Sequence, residues 1–128
     1  MKKRIVIALP LLVAVVVLLL IARGNRVQND PDVGPAIRAA VEDYIQQEET
    51  QRGGFFLRGP DDAERRLQFD YVHEGVEDAG VNQYVVCVDF LDHDDRRLDV
   101  DFYLASDTSG GYEVKQIKVH KIDGVEQE

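Results

Sequence analysis

Residues 86–104, VCVDFLDHDDRRLDVDFYL, place six aspartates and a histidine in nineteen positions, and their spacing decides the fold. Val86, Val88 and Phe90 alternate with Cys87 and Asp89. After the polar run DHDDRR, Leu98, Val100, Phe102 and Leu104 alternate with Asp99, Asp101 and Tyr103. A period of two on both sides of a charged turn predicts an antiparallel hairpin with one apolar face. The pattern extends outward in both directions, through RRLQFDYVH (65–73), NQYVVCVDFL (82–91), RRLDVDFYLA (96–105) and GYEVKQIKVHKI (111–122). FFLRG (55–59) adds a short strand, and Gly75, Gly80 and Ser109-Gly110-Gly111 punctuate the connections.

Upstream the period changes to 3.6. Ile37, Ala40, Val41, Tyr44 and Ile45 recur at helical spacing behind Pro35, which suits a first-turn position, and Gly53-Gly54 supplies the stop. Connections of hairpin length leave no room for parallel crossovers. The expected fold is therefore α+β, with one amphipathic helix packed on a four- to five-stranded antiparallel meander.

The first residues belong to something other than this domain. Ile5 to Ala22 is an uncharged apolar run of eighteen behind Lys2, Lys3 and Arg4, just long enough for a transmembrane helix. A secretory signal has a shorter apolar core of about 7–15 residues and a small-residue cleavage site, which Ala22-Arg23-Gly24 matches poorly. The expectation is an uncleaved signal anchor over 1–26, a tether over 27–34 and an extracytoplasmic domain over 35–128. Cleavage is the alternative and would leave a secreted or periplasmic domain. The basic amino-terminal flank puts the soluble part outside.

Charge is partitioned with this division. From Val27 onward the chain carries 10 Lys and Arg against 24 Asp and Glu, a net of −14. That argues against nucleic acid and against an anionic lipid surface as partners of the domain. With Cys87 as the one cysteine, no internal disulfide is available and the domain stands on its core.

Register follows from requiring apolar residues to share one face. That rule sets Phe90 opposite Val100, Val88 opposite Phe102 and Asp89 opposite Asp101. In the hairpin before, Tyr71, Phe69 and Leu67 face Tyr84, Val86 and Val88, with Arg66 beside Asp89. In the hairpin after, Leu104 faces Tyr112 and Asp101 faces Lys115, followed by a bulge near Gln116 and an Asp99–Lys118 pair. The expected row Arg66, Asp89, Asp101, Lys115 is a solvated charge ladder, each carboxylate with a cation beside it.

Several groups remain as candidate sites. Asp92, Asp94 and Asp95 in the turn offer oxygen ligands to a hard cation, although the glycine and closing glutamate of a calcium loop are missing and Arg96-Arg97 compete. Asp70, His73 and Glu74 cluster at one strand end and would serve a small hydrolase or isomerase. Phe55, Phe56, Tyr71, Tyr84 and Tyr112 would converge at the mouth of a curved sheet and bind a ligand. Cys87 has no base pattern near it, and His73 and His120 fall three strand spacings apart, about 14 Å in a flat sheet. No nucleophile elbow, phosphate loop or paired metal spacing occurs, and no cofactor is implied.

The segment from Gly34 to Gly124 resembles small exported or membrane-anchored bacterial domains. GGFFL after a helix, RRLQFDYVHEGV, YVVCVDFLD, LDVDFYL and YEVKQIKVHKIDG carry the likeness. The order, helix then meander, also looks like the cystatin-like and nuclear-transport-factor-2-like α+β class. The resemblance implies a curved sheet wrapping one helix in an extracytoplasmic setting and transfers no catalytic residue. Together these readings point to a non-enzymatic, membrane-tethered binding or structural module for a protein, peptide or small ligand, with the hydrolase or isomerase as the alternative.

Overall fold

The computed structural model describes residues 33–128. Helix α1 (Val33–Arg52) is followed by strands β1 (Phe55–Arg58), β2 (Glu64–Gly80), β3 (Gln83–Leu91), β4 (Arg97–Ser106), β5 (Tyr112–Ile122) and β6 (Val125–Glu126). The strands pair in chain order as one antiparallel sheet of six, and α1 packs on one face. The expected α+β architecture is present. The two-residue β6 is an element that strand-length reasoning did not anticipate. Among the described residues no helix is long and apolar enough to cross a membrane, and the anchor expected over 5–22 lies outside those residues.

The apolar stripe of α1 does what its spacing predicts. Ile37, Val41 and Ile45 are buried against Val86, Val88, Phe90, Val100, Phe102 and Leu104 of the sheet. Burial of side chains of this size contributes about 1.5–3 kcal/mol each. Phe55 stacks nearly parallel on Phe90 at 5.0 Å, and both lie close to Phe102, so β1, β3 and β4 share one aromatic centre. Gly53 closes the helix at φ 73°, its N–H donating to the Glu49 carbonyl at 2.9 Å. A left-handed residue after the last turn satisfies a helix carbonyl that has no partner within the helix.

The observed register corrects the expected one. Phe90 pairs with Leu98, Val88 with Val100 and Val86 with Phe102, two residues away from the expected alignment. Both registers bury the same side chains, so alternation cannot tell them apart; the turn decides. Asp92 Oδ1 accepts the backbone N–H of Asp94 and of Arg96, its N–H donates to the Arg96 carbonyl, and Asp95 takes φ 57°. This closes a tighter loop.

Strand β2 is also longer than expected. It runs through Gly75 to a two-residue loop, Val81-Asn82, with Gly80 at φ 138° and Asn82 at φ 54°. Phe69 therefore pairs with Phe90, Tyr71 with Asp89 and Val76 with Val86, with irregularities at 69–71 and 72–76. The residues between Val72 and Val76 are extra to the ladder, and Leu67 pairs with Phe55 instead of Val88. On the far side Leu104 meets Val114 and Asp101 meets Lys118, while Asp99 meets Lys121. The bulge falls at Lys115, next to the expected Gln116, and a second falls at His120. The anticipated row Arg66, Asp89, Asp101, Lys115 does not form.

Candidate functional site

The face of the sheet away from α1 carries Tyr71 and His73 from β2, Cys87 and Asp89 from β3, and Arg97, Asp99 and Asp101 from β4. Asp89 was expected on a solvated surface, yet it is fully buried. Its strand neighbours Tyr71 and Asp99 flank it, and the bulge in β2 carries His73 over it. A buried carboxylate is costly unless it is paired and hydrogen-bonded. Here the Arg97 guanidinium donates to Oδ2, and His73 Nε2 lies 2.8 Å from Oδ1. An ionised carboxylate only accepts, so the proton of that contact sits on Nε2. Tyr71 stacks on the His73 ring at 4.8 Å and fixes its plane. Contact with Asp89 holds the Arg97 guanidinium above its ordinary pKa.

Cys87 is half-buried beside this group and opposite Asp101. Burial, then the charges of Asp101, Asp99 and Asp89, push its thiol up to about 11. It is accordingly a neutral thiol at physiological pH and donates to Asp101 instead of acting as a nucleophile. Burial in turn lifts Asp101 above the usual carboxylate value, opposed by His120, whose Nδ1 lies 3.5 Å away, and by the Cys87 thiol. The two histidines, expected at strand ends, lie within β2 and β5; they are three strands apart in the sheet order as expected and sit on separate carboxylates.

Asp70 and Glu74 are exposed, and the Glu74 carbonyl accepts from Arg38 of α1 at 2.9 Å. His73 finds its carboxylate in Asp89. The five aromatics do not form one mouth. Phe55 is in the core, Phe56 lies under the Arg52 guanidinium at 5.3 Å, Tyr71 covers His73, and Tyr84 meets Tyr112 edge-on at 5.7 Å. In the turn, Asp92 is buried and its Oδ2 accepts from Arg96 Nε at 2.9 Å. Burial opposes its ionisation, but the two backbone N–H groups and the guanidinium outweigh it and lower the pKa. Asp94 lies near His93 and Arg96, and Asp95 turns the backbone.

Reasoning from sequence missed Asp89, Arg97 and Cys87 as one cluster. The available signal was VHEG: a glycine inside an alternating strand marks a bulge, which slides His73 along the neighbouring strand.

A second feature is an open cleft of about 520 Å³ where the end of α1 meets the turn after β3. Gly53, Gly54, Leu67 and Leu91 give it apolar walls, Arg66, Glu49 and Asp92 supply charge, and Gln68 and His93 add polar groups. Gly54 lets the wall come close, since a Cβ there would lie 2.8 Å from Arg66 Nε. Comparisons of the chain with protein families, with curated proteins and with solved structures give no match.

Proposed function

We propose that the chain is a membrane-tethered extracytoplasmic binding module, non-enzymatic, which recognises a protein or peptide through the cleft at the end of α1. The observation that supports this reading is the combination of a preformed cleft with side chains whose reactivity is already quenched. Cys87 is a protonated thiol, Asp89 is ion-paired with Arg97 and lies against His73, and both oxygens of Asp92 are taken up by its own turn and Arg96. A catalytic group needs a free lone pair or a proton poised near neutral pH. Recognition needs only apolar walls and a few convergent charges, which the cleft has. The tether rests on the apolar run 5–22 and its basic flank.

The test is proximity labelling in the native membrane with the full chain, wild type against Arg66→Glu and Gln68→Trp. Both positions are exposed and line the cleft. A set of labelled proteins present with the wild type and lost with both variants supports the reading. A set that neither variant changes removes the cleft as the binding surface.

One observation favours the alternative hydrolase or isomerase: a buried carboxylate orients an imidazole. Activity profiling with His73→Ala and Asp89→Asn decides it, and rates unchanged in both would remove it.

A further inference from the structure

His73, Cys87 and Asp89 present one nitrogen, one sulfur and one oxygen donor whose atoms all lie within 4.8 Å of one another. We propose that these three side chains bind a divalent transition-metal ion of the zinc class on the face of the sheet away from α1. The proposal is independent of the cleft and of any partner there.

The donor set is the first reason. Imidazole, thiolate and carboxylate together suit zinc, while hard cations such as calcium and magnesium take oxygen alone. Tetrahedral zinc with bonds of about 2.0–2.3 Å separates its ligand atoms by about 3.3–3.8 Å. Metal entry would open the His73 Nε2–Asp89 Oδ1 contact from 2.8 Å and bring the other donor spacings, all within 4.8 Å, to that value.

The second reason is the support around the donors. A ligating carboxylate is ordinarily held through its other oxygen, and Arg97 already occupies Oδ2 of Asp89, leaving Oδ1 turned toward His73. Tyr71 stacks on the His73 ring. The charge of Arg97 is countered by Asp89 and by Asp99, whose Oδ1 lies 3.7 Å from Arg97 Nε; Asp101 lies opposite Cys87. The His73 side chain is 36% exposed, so the site opens to water on one side and has room for a fourth ligand.

Protons balance simply. The neutral Cys87 thiol releases one proton as the metal–sulfur bond forms. The His73 proton moves from Nε2 to Nδ1, freeing the Nε2 lone pair for the metal. Binding therefore liberates one proton and tightens as pH rises.

The turn residues Asp92, His93 and Asp94 also lie within reach of one another, but Asp92 has spent both oxygens on the turn and on Arg96. That makes them the right control.

The experiment is titration of the full chain in detergent micelles with Co2+, followed by displacement with Zn2+. The expected result is one equivalent of Co2+ with a sulfur-to-cobalt charge-transfer band that Zn2+ abolishes. Cys87→Ser should lose the band, and His73→Ala should weaken affinity at least about tenfold, whereas His93→Ala should change neither. In the unaltered chain, Zn2+ should protect Cys87 from alkylation, a readout that needs no variant to fold. Absence of both the band and the protection overturns the proposal. So does a band or affinity that His93→Ala destroys and Cys87→Ser leaves intact.

Discussion

Asp89 shows how much a single residue depends on its neighbours. Removing Arg97 leaves a fully buried carboxylate with His73 as its remaining partner, whereas removing both charges leaves none uncompensated. Arg97→Ala is therefore expected to lower the urea midpoint more than Arg97→Ala combined with Asp89→Asn. Equal losses in the two proteins would mean that the pair does not hold the carboxylate in place. Cys87 gives a second test at this scale. Its folded pKa, about 11, lies above the ordinary 9.0. The folded state thus keeps a proton that the unfolded state loses, and stability falls as pH rises from about 9 toward 11. Alkylation of Cys87 should stay slow through neutral pH and accelerate only toward that upper value. The alkaline loss of stability should shrink in Cys87→Ala; an unchanged loss would place its cause elsewhere.

At the scale of elements, hairpin register is set by turns and bulges that alternation does not encode. The β3–β4 hairpin is the clearest instance, because Asp92 closes its turn with one carboxylate that accepts two backbone N–H groups and the Arg96 guanidinium. Asp92→Ala should cost about 1–3 kcal/mol in chemical denaturation, since two backbone N–H groups and the Arg96 guanidinium lose their acceptor. Because the folded pKa of Asp92 is lowered, its contribution is fully present above the ordinary carboxylate value of 3.8 and disappears as pH falls below it. The difference between wild type and Asp92→Ala should therefore narrow in acid, and a constant difference would count against the carboxylate as its source. The bulge in β2 has the opposite kind of effect. It loosens pairing with β3 across 72–76 and thereby delivers His73 to Asp89. The sequence held the sign of that bulge in Gly75, but its consequence lies on another strand.

For the whole domain, cohesion comes from one aromatic and aliphatic centre with no cross-link to reinforce it. Phe55 touches both Phe90 and Phe102, joining the short edge strand β1 to the middle of the sheet beneath α1. Phe55→Ala should cost about 3–5 kcal/mol by calorimetry or denaturant titration. A cost under about 1 kcal/mol would imply that β1 is peripheral to the core. The sequence by itself determined the helix over its apolar stripe, the antiparallel meander, the inward-facing valines and phenylalanines, and the acidic character of the domain. These follow from local periodicity and charge, which survive a two-residue slip in pairing. Only the tertiary structure decided the register, the burial of Asp89, the meeting of His73, Cys87 and Asp89, and the dispersal of the five aromatics. Each of those depends on where a turn closes or a bulge falls, and a displacement of one pleat there moves a side chain from a solvated ladder to a shared, enclosed site.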